Sequence, residues 1–257
     1  MSRFNQTLSS TIGKKLIMSL TGIFLSLFLV IHLIGNLQLF KGDNGQAFNE
    51  YAYTMTHFAP IKVVSYLLYL SIIIHAIYAL IITMRNRKAR PVAYAKYDGS
   101  ANSKWNSRNM GILGTIILVF LVVHMGDFWY KYHWGEDLPH IEYRTNIATG
   151  ETSFTPLSSS DVNEYITYVE NGEKVVRAKD LYKIVEFSFQ TWYLVLFYIL
   201  AMVALGFHLA HGFKSAFATL GFRHNRYTPV IQFLGVWIFG VLIPIGFALM
   251  PLYFFFK

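Results

Sequence analysis

Four histidines interrupt the most apolar stretches of this chain: His32, His75, His124 and His208 fall one each in four separate runs of aliphatic and aromatic residues. An imidazole in such surroundings is costly unless its nitrogens find a partner or a ligand. Two kinds of chemistry meet that need. In one, the rings hydrogen-bond between helices or line a path for a proton or a substrate, as in a transporter or channel. In the other, they work in pairs as axial nitrogens to iron, since a six-coordinate haem takes one imidazole from each side of its macrocycle. His211 lies one turn beyond His208 on the same helical face, so residue type alone does not choose between them. His57, His133, His140 and His224 fall in connections, where an imidazole is simply hydrated. Other chemistries lack their residues. The chain has no cysteine, which removes disulfides, cysteine-ligated clusters, thiolate zinc sites and thiol nucleophiles. No carboxylate accompanies His208 and His211 to complete a non-haem metal site. There is no phosphate-binding glycine loop, and no serine nucleophile with a matching base.

The elements that must position these rings are membrane helices. The 257 residues are 54% apolar and only 14% charged, which excludes an ordinary soluble domain. Five stretches, 16–39, 63–84, 109–130, 187–213 and 230–256, approach the roughly 20 helical residues that cross a bilayer core. They read as one all-α membrane domain over residues 1–257. The first run is too long, and lacks the small-residue cleavage site, for a signal peptide, so it is expected to remain as a span. The net charge of +8 is distributed by side rather than clustered for nucleic acid. The linker from Arg85 to Arg108 holds Arg85, Arg87, Lys88, Arg90, Lys96, Lys104 and Arg108 against a single Asp98. The positive-inside rule therefore places it in the cytoplasm, together with the N-terminus (Arg3, Lys14, Lys15) and the linker holding Lys214, Arg223 and Arg226. The C-terminus and the segment 131–186, with ten acidic and six basic residues, then fall outside. Within that segment Tyr165 to Val176 reads as a hairpin turning at Asn171-Gly172, which must lie against something to be stable. Asp180 is placed to cap the helix that follows.

This orientation fixes the depth of each histidine. His32 lies about 24 Å along its helix from Leu16, and His124 about 22 Å from Asn109 in the parallel third helix. His75 and His208 lie nearer the inner ends, about 13 Å from Met84 and about 8 Å from Phe213. Two levels of paired imidazoles emerge, about 10 to 15 Å apart along the membrane normal, a separation that suits electron transfer between two haems. Depth also favours His208 over His211, because His208 is nearer the level of His75.

The chain resembles the membrane-anchor cytochrome b subunit of succinate dehydrogenase and fumarate reductase, in its large five-helix, two-haem form. The resemblance covers nearly the whole chain. It rests on Ser19-Leu20-Thr21-Gly22 leading to Val30-Ile31-His32-Leu33-Ile34-Gly35-Asn36-Leu37, on His124-Met125-Gly126, and on Phe207 to Phe217 with His208 and His211. It implies two haem b groups in a five-helix bundle, with His32 and His124 as iron ligands of an outer, distal haem. His75 and His208 would ligate an inner, proximal one, leaving His211 as an alternative ligand or a haem-pocket residue. It further implies a cytoplasmic iron-sulfur protein and an FAD-containing flavoprotein as partners, with the dicarboxylate site in the flavoprotein. Menaquinone in the bacterial cytoplasmic membrane would be the substrate met by this chain. A haem-free structural anchor is the remaining alternative.

Glu50 resembles an acidic residue near a distal quinone site in some of these proteins, where it would accept a quinol hydrogen bond or relay its proton. Asp127, an acid near the level of His124, ranks below it, its charge open to compensation by water, a propionate network or a lysine. Some two-haem relatives carry a glutamate two positions before the last ligand, but Gly206 stands there in this chain, so a proton path of that kind is not expected. Gly22 and Ser26 are small enough to admit a macrocycle or a neighbouring helix. Arg85, Arg87 and Lys214 would reach propionates or a partner's carboxylates, with Trp105 beside them at a docking surface.

Overall fold

The computed structural model describes residues 10–89, 101, 103–135, 138–158 and 165–257. Arg3, Arg90, Lys96 and Asp98, which entered the charge argument, lie outside the described residues, as do Glu136, Asp137, Asp161 and Glu164. Among the described residues five helices have the length and apolar character to cross a membrane: Thr11–Phe40, Ala59–Lys88, Met110–Trp134, Trp192–Thr219 and Thr228–Phe256. Ile31, Leu67, Val122, Leu200 and Leu242 on these helices are each more than half exposed, a surface that hydrocarbon covers and water does not. The chain is a multi-pass, largely helical membrane protein.

The helix ends depart from the expected bounds for local reasons. The first span starts early because the Ser10 hydroxyl accepts from the Gly13 amide at 2.9 Å and caps it. The fourth begins at Trp192 rather than 187, because Leu181–Phe189 forms a separate amphipathic helix that buries Tyr182, Ile184, Val185 and Phe189. Asp180 caps this short helix, accepting from the Lys183 amide at 3.1 Å. The third span widens into a π-helical turn, Met125–Tyr130, directly after His124. The fifth contains a longer π-helical stretch, Leu234–Leu242.

The chain forms two compact units. The first comprises Met1–Ile31, Ser65–Phe120 and Tyr198–Ala248, and so contains parts of all five spans. Its tightest joint is between the fourth and fifth helices. A Cβ at Gly206 would sit 2.6 Å from the carbonyl oxygen of Gly240, and a Cβ at Gly240 would sit 2.9 Å from the Ala210 Cβ. Phe213 and Phe239 stack nearby with centroids 4.4 Å apart.

The second unit comprises His32–Val64, Leu121–Phe197 and Leu249–Lys257. It corrects the all-α expectation, because it carries a four-stranded antiparallel sheet ordered β2-β1-β4-β3: β1 His140–Asn146, β2 Thr152–Leu157, β3 Ile166–Glu170 and β4 Glu173–Lys179. The expected hairpin is β3-β4. Asn171 and Gly172 both take left-handed φ values, 51° and 79°, as its tight turn requires. What stabilises that hairpin is β1, which pairs with β4 so that Tyr143 lies opposite Val176. Ile141, Tyr143 and Val176 form a buried core against which Tyr165 packs. β2 was not legible because it is an almost fully exposed edge strand, TSFTPL, with little apolar alternation and a proline.

Asn49, on the helix Gln46–His57, ties that helix to the sheet and to Leu181–Phe189. Its amide donates to Tyr143 Oη at 3.1 Å and Asp180 Oδ1 at 3.0 Å, while its carbonyl oxygen accepts from the Tyr182 amide at 3.0 Å. Gly45 precedes this helix with φ 82°, and a Cβ there would land on the Tyr182 side chain. At the end of the chain, Lys257 Nζ donates to Tyr182 Oη at 2.9 Å and Glu186 Oε1 at 3.2 Å.

Candidate functional site

The four histidines meet in two pairs, each within one unit. In the second unit, His32 of the first span faces His124 of the third, with ring centroids 5.9 Å apart and planes at 89°. In the first unit, His75 of the second span faces His208 of the fourth, with centroids 6.3 Å apart and planes at 59°. The fifth span supplies no histidine. His211, one turn beyond His208, is half-buried.

These separations can be compared with what a shared metal demands. Two imidazoles on opposite sides of one metal, with bonds of about 2 Å and centroids about 1.1 Å behind each nitrogen, lie about 6 Å apart between centroids. Rings in direct edge-to-face contact span roughly 4.5 to 7 Å between centroids, so these spacings admit a metal between the rings as well as direct ring contact. Rotation of a ring about the ligand axis leaves the spacing unchanged, so crossed and tilted pairs serve equally. The residues present therefore fit two bis-histidine haems. Among the described residues, no three His, Asp or Glu side chains converge as a metal-binding group. A six-coordinate haem needs only two side chains, because the macrocycle supplies the other four nitrogens.

The surroundings differ from ring to ring. Thr21 Oγ1 lies 3.1 Å from His75 Nδ1. Gly22 lies against the same ring: a Cβ there would be 3.4 Å from His75 Cε1, so a larger residue would press on the imidazole. Gly114 stands similarly near His208, at 3.7 Å from Cε1. Ser26 donates to the Gly22 carbonyl at 2.8 Å and is buried. Asn36 donates to the His32 carbonyl at 2.7 Å and its amide nitrogen lies 3.4 Å from His32 Nδ1. His208 Nδ1 is buried with no hydrogen-bond partner. The sequence reading anticipated the small residue at Gly22 but not Thr21 or Asn36. The spacing of Asn36, four residues after His32 in an apolar helix, was the signal available for it.

The acidic candidates stand in different settings. Glu50, on Gln46–His57, accepts from Gln46 Nε2 at 3.0 Å. Next to it, Tyr53 stacks on Tyr165 and on His57, both at 4.1 Å between centroids. Burial, then the Glu50 carboxylate, hold the Tyr165 phenol above its usual range. Glu50 is therefore part of an aromatic and polar cluster on the second unit. Asp127 pairs with Lys131 at 3.3 Å, so of the three compensations considered for it, the lysine is present. Trp105 packs edge-on against Phe207 at 5.4 Å and is more than half exposed. Gly206 has no room for a larger side chain, because its Cβ position is already filled by the Gly240 backbone.

No family model, no curated protein and no solved structure matches this chain.

Proposed function

We propose that this chain is a dihaem cytochrome b anchor that passes electrons between a cytoplasmic iron-sulfur protein and menaquinone, in a succinate or fumarate complex. The observation that carries the reading is the spacing of the two histidine pairs, 5.9 Å and 6.3 Å, in a membrane helical protein. Resemblance at the first, third and fourth spans supplies the identity of the complex. His32 and His124 would hold one haem b, and His75 and His208 the other. Haem iron, when bound, supplies reversible one-electron transfer.

The remaining steps belong to the chain. The four imidazoles, on four different helices, would hold the two haems. The apolar spans would exclude water from that site. Glu50 accepts a hydrogen bond from a quinol hydroxyl and takes or returns its proton, with Gln46 holding the carboxylate in place. The dicarboxylate reaction belongs to the FAD-containing partner. The basic linker residues Arg85, Arg87, Lys88 and Lys104 and the Trp105 edge face the iron-sulfur partner from the cytoplasmic side of the bacterial inner membrane.

Haem content and reduced-minus-oxidised spectra of the purified native complex test this reading. Two low-spin bis-histidine haems per anchor are expected. A complex with no haem spectrum overturns it, and favours a histidine-lined transporter, or a haem-free anchor if quinone turnover persists.

A further inference from the structure

We infer that Thr21 is a positioning residue for His75, fixing its proton on Nδ1 so that Nε2 is left free as the metal-binding nitrogen. The inference rests on the dihaem reading and deepens it.

A threonine hydroxyl has one proton and a backbone carbonyl can only accept. Thr21 Oγ1 lies 2.8 Å from the Ile17 carbonyl oxygen, with the Met18 carbonyl at 3.2 Å. Its proton is therefore committed to its own helix. The contact with His75 Nδ1 at 3.1 Å must then run the other way, with Nδ1–H donating to a lone pair of Thr21 Oγ1. A neutral imidazole with its proton on Nδ1 carries its lone pair on Nε2. Gly22, the next residue, leaves the space in which the ring rests against the first span. Thr21 and Gly22 thus set both the tautomer and the orientation of His75 from a neighbouring helix.

The other ring of this pair has no such partner, since His208 Nδ1 is buried and unpaired. The two ligands are consequently unequal. An acceptor on the distal N–H of a ligating histidine strengthens its donation to the metal. Stronger donation favours the ferric state, so Thr21 holds the potential of the His75/His208 centre down, and it does so through one ligand only.

The test uses purified complexes carrying Thr21→Val, which keeps the shape and removes the acceptor, Thr21→Ala, which removes it with less volume, and Thr21→Ser, which retains it. The His75/His208 centre is identified as the one missing in His208→Ala. Haem content is measured first, followed by the midpoint potential and low-spin resonance spectrum of each centre. Thr21→Val and Thr21→Ala are expected to retain two haems, to raise the potential of the His75/His208 centre and to leave the His32/His124 centre unmoved. Thr21→Ser is expected to restore the wild-type potential. Two haems with unshifted potentials in both Val and Ala variants would overturn the role of Thr21 while leaving the dihaem reading intact. A serine variant that shifts as far as valine would also overturn it, by assigning the effect to helix packing. Absence of haem from the wild-type complex would instead defeat the dihaem reading itself.

Discussion

A buried histidine is informative only through what its ring meets, and His208 and His211 show this most directly. Both lie on one face of the fourth span, and it is His208 whose ring lies opposite His75, with centroids 6.3 Å apart. His208→Ala is expected to remove one of two haems, halving haem content, while His211→Ala retains both; quantitative haem extraction from the two purified complexes measures this. Retention of both haems in His208→Ala would reject the ligand assignment. The pairing of His32 with His124 and of His75 with His208 was legible because helical rise converts sequence position into depth. The groups around the rings were much less so. Thr21 reads as an ordinary helix residue whose hydroxyl bonds to the preceding turn, and only the packing of the second span brings a ring nitrogen to it. The need for glycine at Gly206 is steric and appears only where the Gly240 backbone fills the space.

At the scale of elements, hydrophobic length identified the spans, and the Asn171-Gly172 turn and the Asp180 cap identified two features of the segment between the third and fourth. The partners of that hairpin were hidden, since β2 is an exposed edge strand and β1 mixes Ile141 and Tyr143 with Glu142 and Arg144. Nor did anything in the local sequence single out Asn49, whose three hydrogen bonds reach residues far along the chain. Burial raises the Asp180 carboxyl above its usual range, despite donors from Asn49 and the Lys183 amide. A carboxyl with a raised folded value opposes folding when ionised, so this contribution is absent in acid and grows as pH climbs through the folded value. Asn49→Ala removes one of the compensating donors and leaves buried groups unpaired. It is expected to cost about 2 to 4 kcal/mol at neutral pH, on the order of a hundredfold in local opening, with a smaller loss at acid pH where Asp180 is protonated. Amide exchange over residues 138–189 in the intact complex reads both quantities. Wild-type protection in Asn49→Ala at neutral pH would remove Asn49 from the joint, and a loss that deepens in acid would contradict the role given to Asp180.

For the molecule as a whole, the direction of the five helices decides which side of the membrane each connection meets. Charge provides the argument: the linkers bearing Arg85, Arg87 and Lys88, and Lys214, Arg223 and Arg226, are basic, whereas in the sheet-bearing segment acids outnumber bases. Both linkers are short enough for their charges to count. The segment 131–186 is long, and its folded sheet would be carried across the membrane by the orientation of the helices beside it. Because the chain has no cysteine, a single introduced thiol reports its side without background. Thr149, in the exposed β1-β2 turn, and Asn225, in the exposed connection between the fourth and fifth spans, suit this purpose. With a membrane-impermeant maleimide, Thr149→Cys is expected to label in intact cells, whereas Asn225→Cys should label only after the membrane is opened. The reverse pattern would invert the protein, putting Glu50 and its aromatic cluster on the cytoplasmic side and the basic linkers outside. An iron-sulfur partner in the cytoplasm would then dock beside His32 and His124, and the electron path would run opposite to the one proposed, even with all four histidines still holding haem.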